Sequence, residues 1–278
     1  MSAIEVWKQS VAANQAQSQK IRAAQGIAEV DRWEVVSPLF KANPHRTDDI
    51  EVNRLVREVT PAMTVLDVGG GAGRFALPLA LRCRHVTVVE PSPSMGESLR
   101  QLAAEAEIDN VSLVAKRWEE AEVEPADVIL AAHVIYMIED ICAFVAKMVA
   151  HARQKVLLLM FMRPPLARYA PFWRWVHGED KQELLGAGEF LQVLWEMDIY
   201  PDLEMFEPRE SRAFKDWQTA LETLRRRIHV RPDTAEDARL LRGMRELLIE
   251  TPGGYTIKEA APEYLALISW HPKSMTRR

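Results

Sequence analysis

Residues 65–73 read Val65-Leu66-Asp67-Val68-Gly69-Gly70-Gly71-Ala72-Gly73, and the next apolar run, His85-Val86-Thr87-Val88-Val89, ends on Glu90. The first run, Met63 to Val68, breaks into glycines and then into a helical pattern from Arg74 to Arg82. Strand, tight turn and helix form the context a glycine loop needs before it counts as a nucleoside site. Gly69, Gly71 and Gly73 lack a Cβ, so the main chain there can adopt positive φ and approach a ligand closely. Free N–H groups at the helix start favour an anionic group nearby. Glu90 stands 21 residues beyond Gly69, where the second strand of a parallel sheet ends beside the first. A carboxylate there can accept hydrogen bonds from both hydroxyls of a ribose. The pattern points to a seat for an adenosine-containing cofactor.

A dinucleotide fingerprint, G-x-G-x-x-G, needs a third glycine for close helix–strand packing around a pyrophosphate. Counted from Gly69 that place holds Arg74, and counted from Gly71 it holds Ala76. The chain offers instead Asp67-x-Gly69-x-Gly71-x-Gly73, with Glu90-Pro91-Ser92-Pro93-Ser94-Met95 downstream. This resembles motif I and the following acidic strand end of the class I S-adenosylmethionine-dependent methyltransferases. Ala126 to Leu130 is similar to the fourth strand of that family and Val156 to Phe161 to its fifth, so the likeness runs over roughly residues 45–165. The flavour is that of the small-molecule branch, which includes the quinone-biosynthesis methyltransferases.

The resemblance implies a doubly wound, mostly parallel, seven-stranded Rossmann-like α/β sheet. Around it the sequence predicts a helical N-terminal arm or lid at 1–44 and a catalytic domain at 45–278. Helical insertions are expected near 163–200 and 212–251, after strands five and six. Ala, Gln and Lys dominate residues 2–25 with few breakers, which favours helix. Apolar positions are sparse there, so this arm should pack on something else or on a second copy, making a homodimer. A second helix is expected near Ala28 to Phe40, ending before Asn43-Pro44. A third should be capped by Asp48 or Asp49 and reach Val59. Ile138, Ile141, Cys142, Val145, Met148 and Val149 share one face at i, i+3, i+4 spacing. Leu203 to Phe206 reads as the sixth strand. Phe214, Trp217, Leu221, Leu224 and Ile228 form the seam of an exposed helix. Asp233 and Glu236 make a capping box for the next, which carries Leu240, Leu241, Met244, Leu247 and Leu248 and ends at Pro252-Gly253-Gly254. Tyr264 to Trp270 is the last strand, which in the family is buried and antiparallel near a sheet edge.

The 278 residues are 48% hydrophobic and 27% charged, an ordinary globular balance, with net charge −5. No basic footprint supports nucleic-acid binding. The longest apolar run, Val156 to Met162, is too short for a membrane span. Cys83 and Cys142 are the two cysteines, without C-x-x-C, so neither disulfide nor zinc is indicated. The N-terminus lacks a secretory pattern, and the cytoplasm is the expected compartment.

In such sheets the ligand sits outside the carboxyl ends of the strands. By resemblance, the methionine part of S-adenosylmethionine lies over Gly69, Gly70, Gly71 and Gly73. Asp67 orients the loop or reaches the cofactor's amino group through water, and a structural turn carboxylate would read the same. Glu90 holds the ribose. Pro91, Ser92 and Met95 lie beside the adenine, though Ser92 and Met95 equally fit a helix cap and a packing residue. Many relatives carry an acid after the third strand, Val111 to Ala115. This chain has Lys116 and Arg117 there, so main-chain groups and a stacking or shielding Trp118 would substitute. After strand four come Ala131, a candidate carbonyl contact, and His133, a candidate general base with an unperturbed pKa near neutrality. Tyr136 follows, to bind the acceptor or to pack a helix start. No acid follows strand four to chelate magnesium, so no metal is expected, and the Asn-Pro-Pro-Tyr signature of base methylators is absent. Trp33, Phe40 and His45-Arg46, with Pro171 to Trp175, could cover an apolar or aromatic small-molecule acceptor. The competing readings are a cofactor-binding regulator without transfer activity and a nicotinamide oxidoreductase.

Overall fold

The computed structural model of the chain describes residues 1–28, 42–210 and 213–272. The expected helix over 28–40, with Trp33 and Phe40, falls almost wholly outside the described residues. Two compact units divide the chain. One comprises residues 42–159, 194–204 and 267–272 among those described, and the other 1–28, 160–193 and 205–266.

The first of these carries the central sheet. Its strands are β1 (Thr64–Val68), β2 (His85–Val89), β3 (Val111–Val114), β4 (Ala126–Ala132), β5 (Ala152–Phe161), β6 (Asp202–Met205) and, last in the chain, β9 (Leu265–Trp270). Their order is β3-β2-β1-β4-β5-β9-β6, with β1 parallel to β2 and β4, β2 parallel to β3, and β4 parallel to β5. This is a mixed α/β, Rossmann-like sheet. Every residue of β9 is buried, and it runs second from the edge, while the edge strand β6 is exposed throughout. The sheet is pinned at the start of β1, where Asp127 Oδ2 accepts from Thr64 N at 2.8 Å and Thr64 Oγ1 at 3.1 Å.

Helix α2 (Ile50–Leu55) is capped by Asp49, whose side chain accepts from Val52 N, and stops at a 3-10 turn, Val56–Glu58. After the glycines, α3 (Ala76–Ala80) is shorter than the pattern from Arg74 to Arg82 suggests. Pro78 is the reason: it has no N–H for the Arg74 carbonyl four residues back. That carbonyl accepts instead from Arg46 Nη2 at 2.8 Å. The same guanidinium binds Asp49 at 3.0 Å, and Arg74 Nη2 reaches Asp49 and Glu51 at 3.1 Å each. Burial alone would raise the Asp49 carboxyl, but hydrogen bonds from Glu51 and Val52 N and the Arg74 charge hold it well below the usual carboxylate range. Helix α4 (Pro93–Glu105) is capped by Ser92. Helix α5 (Ile141–His151) begins three residues later than Ile138, and its buried face is Ile141, Phe144, Val145 and Met148. Cys142 and Val149 only border that face.

The other unit opens with α1 (Ala3–Ala24). Its sparse apolar face, Trp7 and Val11, packs within the unit, with Trp7 5.6 Å from the Phe190 ring. Polar side chains do the rest. Ser10 Oγ and Asn14 Nδ2 donate to the carbonyls of Glu183 and Gln182, and Gln17 Nε2 to that of Asp180 at 2.8 Å. Helices α6 (Ala170–His177), α7 (Ala187–Glu196, whose last three residues fall in the sheet unit), α8 (Trp217–Arg227) and α9 (Ala235–Leu247) follow. Phe172, Trp173, Leu224, Leu240 and Met244 are its core. Two local readings shift. The α9 cap is Thr234, accepting from Asp237 N at 3.2 Å, because Asp233 takes a left-handed φ of 61° and lies outside the helix. Pro252-Gly253-Gly254 turns the chain into a hairpin rather than merely ending a helix. It joins β7 (Leu248–Thr251) to β8 (Gly254–Ile257), so Leu248 is a strand residue. Phe214 sits before α8, bridged to Tyr255. Among the described residues, no helix is long and apolar enough to cross a membrane.

Candidate functional site

The glycine loop leaves β1 at its carboxyl end. Gly69 N donates to Val89 O at 2.7 Å, and φ is 69° at Gly69, 56° at Gly71 and 84° at Gly73. The reasons for glycine differ along the loop. A Cβ on Gly69 would lie 2.6 Å from Val134 Cγ2, and one on Gly73 2.5 Å from Leu99 Cδ1. One on Gly70 would lie 2.6 Å from Asp67 Oδ2. At Gly71 the nearest atom is Met95 Sδ at 3.8 Å, so glycine there leaves an open cradle over a left-handed main chain.

Glu90 pins this loop. Its Oε2 accepts from Gly71 N at 3.0 Å and its Oε1 from Ser92 N at 2.8 Å. Asp67 does not. It is 1% exposed, and among the described residues neither carboxylate oxygen has a hydrogen-bond partner. Burial, and then the neighbouring Glu90 charge, push its carboxyl up to about 7. The loop-orienting role foreseen for Asp67 therefore falls to Glu90, because the left-handed glycines turn the loop N–H groups toward the second strand end. A buried carboxylate without a partner is costly. Beside an open glycine cradle, it fits a ligand that brings a cationic or N–H group. The residues present thus fit the aminoacyl nucleoside that the sequence resemblance implies.

The remaining residues separate. Ser92 is the α4 cap, its Oγ accepting from Met95 N at 3.3 Å, and Met95 is buried with its sulfur toward Gly71. Pro91 and Arg117 are exposed. Trp118, expected to stack on or shield the adenine, is built into another contact. Its Nε1 donates to Phe144 O at 3.2 Å, its ring meets Phe144 and His151 edge-on, and Lys147 Nζ lies 4.7 Å over it. The 3-10 turn Trp118–Glu120 after β3 needs that anchor, because Lys147 also binds the Trp118 and Ala121 carbonyls. Ala131 is buried in β4 opposite Leu158.

His133 follows β4 directly. Its N–H donates to Leu159 O at 2.9 Å, its φ is 61°, and its ring lies 6.4 Å from Phe75. A left-handed conformation at a residue with a Cβ costs roughly 1–3 kcal/mol and clusters at functional sites. Tyr136 is 6% exposed within the 3-10 turn Ile135–Met137. The expected cover residues differ. Phe172 and Trp173 are core, His45 is exposed, and Arg46 belongs to the Asp49–Arg74 network. Spacing gave no sign of Val134 or Arg46. Pro78, by leaving a helical carbonyl unmatched, was the one available hint of the latter.

Residues 65–155 match the family described as "Methyltransferase domain". A ribosomal RNA small subunit methyltransferase G from Methylobacillus flagellatus is 39% identical over 75 residues, 26% of this chain and 36% of the relative. The chain thus spans about a third of the length of the curated relatives it matches. Among solved structures, the YcgJ protein of Bacillus subtilis superposes with a TM-score of 0.56 at 13% identity, covering 80% of this chain and 97% of that one. A Bacillus halodurans protein provisionally named a methyltransferase gives the same score and identity, covering 81% and 99%. The glycine cradle, the two acids beside it and the strand order all lie in or around the matched segment. Over residues 65–155, about a third of its length, the chain is thus similar to a methyltransferase domain.

Proposed function

We propose that the chain transfers a methyl group from S-adenosylmethionine to a small-molecule acceptor with an apolar or aromatic body, as a cytoplasmic enzyme. The observation that carries this is Asp67, a buried carboxylate with no hydrogen-bond partner among the described residues, packed against Gly70 next to the open position at Gly71. When bound, the cofactor supplies a sulfonium methyl already activated by its own positive charge. The protein's task is then positioning and exclusion of water. Asp67 compensates the cofactor's ammonium group. Glu90 keeps its bonds from Gly71 N and Ser92 N and accepts from the ribose hydroxyls as well. Met95 packs at the open side of Gly71. His133, held out of ordinary backbone geometry at the end of β4, is the group that takes a proton from a hydroxyl acceptor. Tyr136, on the following turn, shapes the acceptor side by packing.

The ribosomal RNA enzyme among the relatives brings RNA forward as a second acceptor class. Net charge −5 without a basic tail speaks against it. Thermal melts test the donor. S-adenosylmethionine at a hundred times its dissociation constant should stabilise by about 2.7 kcal/mol, and NAD by nothing. Transfer of a deuterated methyl group across a panel of phenols, amines and carboxylates tests the reaction. A cofactor-induced melt shift without any labelled product would turn the reading to a binding protein, and a shift with NAD alone would end it.

A further inference from the structure

The unit built from α1, residues 160–193 and residues 205–266 contains a cavity of its own, about 660 Å³. That volume suits a drug-sized ligand. Phe161, Pro164, Pro171, Ile257 and Tyr264 give its walls an apolar character. Three of the four acids around it are matched by bases, Glu183 by Arg163 at 3.9 Å, Asp180 by Arg174 at 3.5 Å and Glu263 by Arg168 at 3.7 Å, and Glu259 is the fourth.

Lys181 differs from those arginines in pairing with none of the lining acids among the described residues. Its ammonium nitrogen lies 4.0 Å over the ring of the buried Trp173 and donates one hydrogen bond, 2.9 Å, to Ser18 Oγ on α1. Among the described residues it makes no ion pair within 4.0 Å, and its nearest acidic charge is that of Glu179. An ammonium has three donors, so two remain for a ligand. Burial pushes this group down to about 8, with the nearby Glu179 charge opposing the shift. The indole face and the serine hold the charge in place but do not neutralise it.

We propose that this cavity binds a small organic anion, a carboxylate on an apolar or aromatic body, with Lys181 as its charge partner. The carboxylate takes the open ammonium donors, and the proline-lined wall takes the apolar body. The site stands on this unit's own geometry, whether or not the chain transfers methyl groups.

Calorimetric titration of the full chain, without methyl donor, tests it with matched probes: benzoate against benzamide, indole-3-acetate against its amide, and decanoate against decanamide. At least one carboxylate should bind about tenfold more tightly than its amide. Lys181→Met, which keeps the stem and removes the cation, should level the pair, and Lys181→Arg should keep the preference. Ala261→Trp, at an exposed position on the other wall, should weaken carboxylate and amide together. Equal binding of every pair would overturn the proposal. So would a preference that survives Lys181→Met, or no binding below roughly 1 mM to the folded wild type.

Discussion

The Glu90 carboxylate engages two main-chain N–H groups, at Gly71 and Ser92. Removing it should both loosen the cradle and leave the ribose unheld. Glu90→Ala is expected to weaken S-adenosylmethionine by about 1.5–3 kcal/mol, read by calorimetry, since charge-assisted bonds are lost. Unchanged affinity would reject the ribose role. Gly71→Val places a branched side chain into the cradle and into a φ of 56°. It should abolish cofactor binding while far-UV dichroism stays native, and a binding-competent valine variant would refute the seat. Asp67 predicts a pH dependence. Its folded-state pKa is raised from 3.8 to about 7, chiefly by burial and then by Glu90. The folded protein therefore holds a proton that the unfolded chain releases, so stability is fully present below the unfolded value and is lost as pH rises toward 7. Urea midpoints of the ligand-free protein should fall between about pH 4 and pH 7, and Asp67→Asn should flatten that slope.

At the scale of elements, Arg46 takes over the hydrogen bond that Pro78 denies to α3. Arg46→Ala should cost about 1–3 kcal/mol in urea denaturation, because the part-buried Arg74 carbonyl and Asp49 both lose a partner. Helix α1 rests on Trp7, which is fully buried, so Trp7→Ala should cost about 3–5 kcal/mol. A loss under 1 kcal/mol would mean the arm does not depend on that contact. The parallel strands were legible because Val, Ile and Leu runs such as Val86–Val89 alternate with helical periods. The glycine cradle was legible because few other folds tolerate three glycines at alternate positions. What stayed hidden depends on partners distant in sequence. No local pattern says that Asn14 and Gln17 meet carbonyls some 160 residues away. None says that Trp118 is spent on Phe144, or that Gly254 closes a hairpin instead of capping a helix. The position of Glu90 was readable, but the direction in which it turns was not.

For the whole molecule, charge argues about partners. A net charge of −5 disfavours long-range attraction to a phosphate backbone. Filter binding of a structured ribosomal RNA fragment at near-physiological salt should show no half-saturation below about 100 μM. Tight, salt-dependent retention would make RNA the acceptor. The seat for the donor and the end of β4 are not separate parts, since a Val134 methyl fills the volume that any side chain on Gly69 would need. Pressure on one is felt by the other. A designer who enlarges residue 134 to retune which acceptor is taken will also tilt the first glycine and slacken the grip on the nucleoside. Donor affinity and acceptor choice should accordingly drift together in any mutant series along that hinge of main chain.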